Sequence, residues 1–176
     1  MRKLKNNELN RLNLQEFKTS QKTPLVIVLD NIRSAHNVGS VFRTSDAFLV
    51  EKICLCGITP TPPHKEIRKT ALGASESVNW QYYANSMECI QELTTCGYHI
   101  ISIEQADKAI MLHDFNPKKN MKYALVLGNE VKGVEQSILS ASNTVIEIPQ
   151  YGTKHSLNIS VSSGVVIWDF FQKLQA

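Results

Sequence analysis

Three short stretches of this chain carry residue types that chemistry requires. The first, Asp30–Phe48 (DNIRSAHNVGSVFRTSDAF), spaces Asn37, Gly39 and Arg43 as Asn-x-Gly-x-x-x-Arg. On a helix, Arg43 falls almost two turns past Asn37, where a guanidinium clamps a phosphate or carboxylate through two parallel hydrogen bonds. Asn37 has the side chain of a helix cap. The plainer reading of the same residues is a capped helix with Arg43 paired to Asp46 or Asp30. The second stretch is Leu127-Gly128-Asn129-Glu130-x-x-Gly133. It matches neither a Walker loop nor a dinucleotide fingerprint, because its lysine and glycine spacings are wrong. It reads either as a turn in which Gly128 and Gly133 adopt unusual backbone angles or as an Asn–Glu pair aimed at a polar ligand. The third runs from Ile148-Pro149-Gln150 through Ser156-Leu157-Asn158. Ser156 suits the cap of the helix that follows. A serine hydrolase is a poor alternative, since His155 and Ser156 are adjacent and no Gly-x-Ser-x-Gly elbow exists.

These stretches need elements to hold them, and strand and helix patterns alternate through nearly the whole length. Leu25–Asp30 (LVIVLD) is a short, β-branched run, apolar up to Leu29, as expected of a strand buried on both faces. Val38, Val41, Phe42, Ser45, Phe48 and Leu49 recur at helical spacing. Lys52–Cys56, Val78–Tyr83, Tyr98–Glu104, Tyr123–Leu127 and Thr144–Ile148 read as further strands. Helices are expected over Lys65–Leu72, Ser86–Cys96 (capped at Ser86), Glu135–Leu139 and Ser156–Leu174. The alternation predicts one α/β domain with a mainly parallel sheet flanked by helices. Each polar stretch then follows a strand, at the end of the sheet where such folds bind ligands. The last helix is greasy on most sides over Val165–Phe171, which calls for burial in the core or against a second subunit.

Composition narrows the classes. The 176 residues are 43% hydrophobic and 20% charged, with a net charge of +3, which excludes disordered, collagen-like and disulfide-scaffold proteins. Apolar runs such as Leu25–Leu29 are too short to span a bilayer. No secretory leader pattern is seen, and the expected location is cytoplasmic. Cys54, Cys56, Cys89 and Cys96 lack zinc-ligand spacing and read as small buried, reduced thiols, so no metal is expected. Residues 1–22 carry a balance of +4 and the remainder −1. The basic segment, with Arg2, Lys3, Lys5 and Arg11, is either an arm for phosphates or a solubilising helix. Lys65, Arg68 and Lys69 beyond the Pro-rich loop are further candidate RNA contacts. The domain proper is placed at 23–176.

In order, Asn-x-Gly-x-x-x-Arg, Val-Leu-Gly-Asn-Glu-x-x-Gly and Ile-Pro-x-x-Gly-x-x-x-Ser-Leu-Asn-x-Ser-Val resemble the three motifs of the SpoU/TrmH family. These are S-adenosylmethionine-dependent RNA ribose 2′-O-methyltransferases of the SPOUT superfamily. The resemblance runs from about Leu25 to the terminal helix. It implies a C-terminal deep trefoil knot, otherwise nearly absent from proteins, and a homodimer acting on tRNA or rRNA. By motif position it implies an S-adenosylmethionine pocket formed by Leu127, Gly128, Ile148 and Leu157, with Ile103 and Glu104 as neighbours. Arg43, Asn37, Glu130, Ser156 and Asn158 fall on catalytic or substrate-facing positions, with Asn37 and Ser156 expected to orient Arg43. Gln150 departs from the family's usual Met. Many members carry an added RNA-binding domain, whereas only about 22 residues precede the first strand pattern here. Two other classes compete with this reading. One is a catalytically silent RNA-binding dimer, opposed by the intact polar positions. The other is a dinucleotide-dependent oxidoreductase, which lacks its glycine fingerprint.

Overall fold

The computed structural model describes residues 1–175, so only Ala176 of the expected 23–176 domain lies outside it. In chain order the elements are α1 (Leu14–Thr19), β1 (Thr23–Asp30), α2 (Ala35–Ala47), β2 (Val50–Cys56), α3 (Lys65–Ala71), α4 (Ala74–Ser77) and β3 (Asn79–Tyr83). There follow α5 (Ser86–Thr95), β4 (Tyr98–Ile103), β5 (Ile110–Met111), β6 (Lys122–Leu127), α6 (Gln136–Ala141), β7 (Thr144–Glu147) and α7 (Ile159–Gln175). The strands form one seven-stranded sheet in the order β3-β2-β1-β6-β4-β7-β5, with every neighbouring pair parallel.

The unbroken apolar run of β1 explains its central place. Leu25, Ile27 and Leu29 point into a core shared with α2, α3, α4 and α7. Val26 and Val28 point to the opposite face, under α5 and α6. A strand covered on both sides has no solvent face to advertise by polar alternation. At the crossing of α2 and α3, a Cβ on Gly39 would lie 2.5 Å from the Ile67 carbonyl oxygen. The glycine of the first motif therefore serves helix packing.

Several local expectations are corrected. Ser34, not Asn37, caps α2, its hydroxyl accepting the Asn37 amide at 3.3 Å. Asn85 caps α5; Ser86 is its first residue, and its hydroxyl donates to the buried Asp30 carboxylate. The terminal helix starts at Ile159 rather than Ser156. There the Asn158 side chain accepts the Ser160 amide at 2.9 Å, and its carbonyl accepts the amides of Val161 and Ser162. In each case neighbouring residues offered near-equivalent capping groups, and the direction of the incoming chain chose between them. Strand β5 was not expected, because two residues are too few to show a period; it exists by pairing Ile110 with Ile146 of β7.

Only part of α7's apolar surface is covered. Val166, Ile167 and Phe170 are buried, with Phe170 against Phe115 and Tyr123 at ring separations of 5.6 Å. Val161, Val165 and Trp168 form an exposed stripe at helical spacing. Phe171 packs on Phe48 and Trp168. Cys54, Cys56 and Cys89 are buried free thiols, whereas Cys96 is exposed, against expectation, at the end of α5. The N-terminal segment is docked through α1, whose Phe17 is buried with the Lys22 ammonium over its ring. Arg2 is tied to Glu8 by two hydrogen bonds and Lys22 to the α1 end, whereas Lys3, Lys5, Arg11 and Lys18 are exposed. No helix of the described residues is long and apolar enough to cross a membrane, and no cluster of metal-ligating side chains occurs among them.

Candidate active site

Past the carboxyl ends of β4 and β6, the segments that follow them and the 148–158 stretch surround a cavity of about 930 Å³. That volume suits a ligand of cofactor size. From the end of β4 comes Ile103, followed by Glu104; from the second motif Leu127, Gly128 and Glu130. From the third come Ile148, Ser156, Leu157 and Asn158, together with Gln150. All six residues expected to hold a cofactor line this one space.

The second motif shapes it. Asn129 and Gly133 exchange backbone hydrogen bonds of 3.0 and 2.8 Å, closing a tight turn directly after β6. The Asn129 carboxamide accepts the amides of Val131 and Lys132 and donates to the Asn31 carbonyl at 2.7 Å. The Asn129 carboxamide thus holds the turn, and the residue also lines the cavity. Gly133 has φ +70°, in the left-handed region that favours glycine. A Cβ on Gly128 would lie 2.2 Å from the Gly133 carbonyl carbon and the Val134 nitrogen. Gly128 is required by the close approach of the turn's own backbone and, unlike Gly133, not by a left-handed backbone angle. Glu104 spans the cavity wall, accepting the Val134 and Gln105 amides at 2.9 Å each.

A second network joins the three motifs. The Glu130 carboxylate accepts the amides of Arg33 (3.0 Å) and Ser34 (3.2 Å) at the amino end of α2, and the Asn37 side-chain amide at 3.3 Å. Asn158 donates in turn to the Asn37 carboxamide oxygen at 3.3 Å. Partial burial pushes the Glu130 carboxyl up. Hydrogen bonds from the Arg33 backbone, its own backbone, Ser34 and Asn37 together outweigh that and hold it below its ordinary value. A carboxylate at the start of α2 is also favoured by the helix dipole.

Arg43 is placed apart. It is exposed on α2, on the side shared with His36, Ser40 and Ala47, and does not line the cavity. Among the described residues it has no ion pair or side-chain hydrogen bond, to Asp46, Asp30, Asn37 or Ser156. Ser156 lines the cavity with an exposed side chain and likewise makes no side-chain hydrogen bond among the described residues. The expected orientation of Arg43 by Asn37 and Ser156 is absent within one chain; Asn37 is engaged with Glu130 and Asn158 instead.

Sequence reasoning missed several contributors. Gln105 donates to the His155 carbonyl at 2.8 Å and ties the third stretch across the cavity. Leu139, on the half-buried side of α6, and Ile159 supply further apolar wall. Gln105 directly follows a residue pair already singled out. Leu139 gave no signal beyond ordinary amphipathic spacing.

Residues 24–168 match the SpoU rRNA methylase family. A Borreliella burgdorferi protein named as an uncharacterized tRNA/rRNA methyltransferase is 30% identical over 162 residues, 92% of this chain and 70% of that protein. The Neisseria meningitidis 23S rRNA (guanosine-2′-O-)-methyltransferase RlmB is 29% identical over 159 residues. That match takes in 90% of this chain but 62% of the Neisseria protein, less than two thirds of its length. Among solved structures, the A. aeolicus TrmH/SpoU tRNA modifying enzyme superposes with a TM-score of 0.81 at 23% identity, covering 92% of this chain and 81% of that one. An AdoMet-bound rRNA methyltransferase from Sinorhizobium meliloti gives 0.81 at 24% identity, covering 88% and 58%. At such identities the superpositions establish the shared fold. With the matched span covering the sheet, the turn after β6 and most of α7, the chain belongs to the SpoU family of S-adenosylmethionine-dependent RNA methyltransferases.

Proposed function

We propose that this protein transfers a methyl group from S-adenosylmethionine to a ribose 2′-hydroxyl of tRNA or rRNA, as a homodimer in the cytoplasm. The observation that carries the reading is the convergence of all three motifs on one cavity edge through the Glu130–Asn37–Asn158 network. The residues present fit the cofactor. Ile103, Leu127, Ile148 and Leu157 offer apolar wall for an adenosine, and Glu104 and Glu130 bring negative charge that suits a sulfonium. When bound, S-adenosylmethionine supplies an electrophilic methyl group. The names of the Neisseria relative and of a structure described as an RNA 2′-O ribose methyltransferase support the ribose assignment.

A ribose hydroxyl is a weak nucleophile, so the protein's task is to orient it and to stabilise the charge it develops. Arg43 is assigned to that task through a substrate phosphate, since a guanidinium pKa above about 12 opposes a role as literal base. Asn37, Glu130 and Asn158 hold the amino end of α2 against the cavity and so fix the helix that carries Arg43. Because Arg43 lies outside its own chain's cavity, we assign it to the partner's site, with the exposed Val161–Val165–Trp168 stripe as the dimer contact. The knot is proposed on the same footing. Strand β7 lies between β4 and β5, so the segment that leaves β4 and returns as β6 passes round a strand formed later in the chain.

The test is transfer of labelled methyl groups to bulk tRNA and rRNA, followed by nucleoside mass spectrometry. Ribose-methylated nucleosides are expected. Label on bases, or none on either RNA with the cofactor bound, overturns the assignment.

A further inference from the structure

The edge strand β3 leaves two aromatic side chains uncovered. Trp80 and Tyr82 are 37% and 47% exposed. Their register opposite Ile53 and Leu55 puts both on the sheet face that α2, α3 and α4 cover. Two residues apart on a strand, they stand side by side about 7 Å apart along it. The Tyr82 hydroxyl donates to the Gly57 carbonyl at 3.0 Å, which fixes that ring next to the exposed Ile58.

Helix α3 brings charge to the same edge. Its Glu66 pairs with His36 at 2.6 Å and its Thr70 hydroxyl donates to the His36 carbonyl, so those two residues face α2. At 3.6 residues per turn, Lys65 and Arg68 lie on the side of the helix away from α2. The other flank of α2 is occupied by α7, with Phe48 and Trp168 at a ring separation of 5.4 Å. The outward side of α3 therefore lies on the β3 side of that layer, where α4 contacts both α3 and β3. Lys65 and Arg68 are exposed and have no ion pair among the described residues.

We infer that Trp80 and Tyr82 form a stacking platform for unpaired RNA bases, with phosphates of the same strand held by Lys65 and Arg68. Aromatic faces beside cations are the recurring means of holding single strands without reading their sequence. Three strand spacings of about 4.8 Å separate β3 from β6, so the platform lies roughly 14 Å across the sheet from the strand whose carboxyl end borders the cavity, a span of a few nucleotides. The inference rests on the RNA reading of the active site and adds where nucleotides flanking the target are held.

The test is titration of the full chain with a short oligouridylate at low salt, following tryptophan emission. Quenching is expected in the wild type and not in Trp80→Phe, in which Trp168 remains as reference. Trp80→Ala is expected to weaken oligouridylate binding about tenfold, and Tyr82→Phe to retain more affinity than Tyr82→Ala. Equal affinity of folded Trp80→Ala and wild type overturns the platform. So does emission that follows protein concentration instead of RNA, which assigns the edge to a contact between copies. Methyl transfer measured on the same samples separates the two readings. Quenching without methyl transfer to any RNA removes the enzymatic assignment alone, and normal transfer with neither quenching nor loss in Trp80→Ala removes the platform alone.

Discussion

The two ends of α2 are built on opposite principles. At the amino end, Arg33, Ser34 and Asn37 all donate to Glu130, and Asn37 also receives Asn158. Less than two turns on, Arg43 stands exposed with no side-chain hydrogen bond or ion pair among the described residues. The first arrangement holds its geometry before anything binds. The second leaves a long cation free, which is useful only if a phosphate or a second subunit completes its surroundings. Pre-organisation and availability are thus separated along one short helix.

The largest effect that sharpens this contrast is expected at the pocket turn. Gly128→Val drives a side chain into the Gly133 backbone, so S-adenosylmethionine binding is expected to vanish in calorimetry, with a stability loss of about 1–3 kcal/mol. Unchanged affinity in the folded variant breaks the assignment of the turn.

Arg43→Ala comes next. It is expected to lower methyl transfer by at least ~10²-fold while cofactor affinity stays close to wild type. Arg43→Lys should rescue little, because an ammonium lacks the planar fork. Near-normal turnover on the true RNA would reduce Arg43 to a surface residue.

The subunit claim is tested at the exposed stripe. Trp168→Asp is expected to give monomers with much reduced activity, and mixing it with Arg43→Ala tests whether sites are shared. Light scattering that finds the wild type monomeric at micromolar concentration contradicts the claim.

A smaller effect is expected from Glu130→Gln, about 1 kcal/mol or less because the carboxylate is exposed. Its folded pKa is depressed, so its contribution is present above the ordinary glutamate range and is lost as pH falls through the folded value. Thermal melts should therefore separate wild type from variant near neutral pH and converge in acid. A constant gap at all pH values would mean the stabilisation does not depend on the charge.

The smallest effect is expected from removing residues 1–12, which spares the capping Asn13 and the buried Phe17. If Lys3, Lys5 and Arg11 touch phosphates, the slope of log affinity against log salt should fall by up to about 3. Equal slopes leave the segment as a solubilising extension.

Part of this molecule is written in local pattern alone. The β1 run and the five other main strands were legible because apolar runs between turn residues leave few alternatives. The cavity residues were legible because three spaced motifs coincide with a known family. Which of Ser34 and Asn37, or of Ser156 and Asn158, caps a helix was decided only in three dimensions. So were the consumption of Asn129 inside its turn, the separation of Arg43 from the cavity and the exposure of Val161, Val165 and Trp168. These depend on contacts between segments up to 121 residues apart, such as Asn37 with Asn158. No local spacing encodes them, because a hydrogen bond is won by whichever polar group the packed chain brings within about 3 Å.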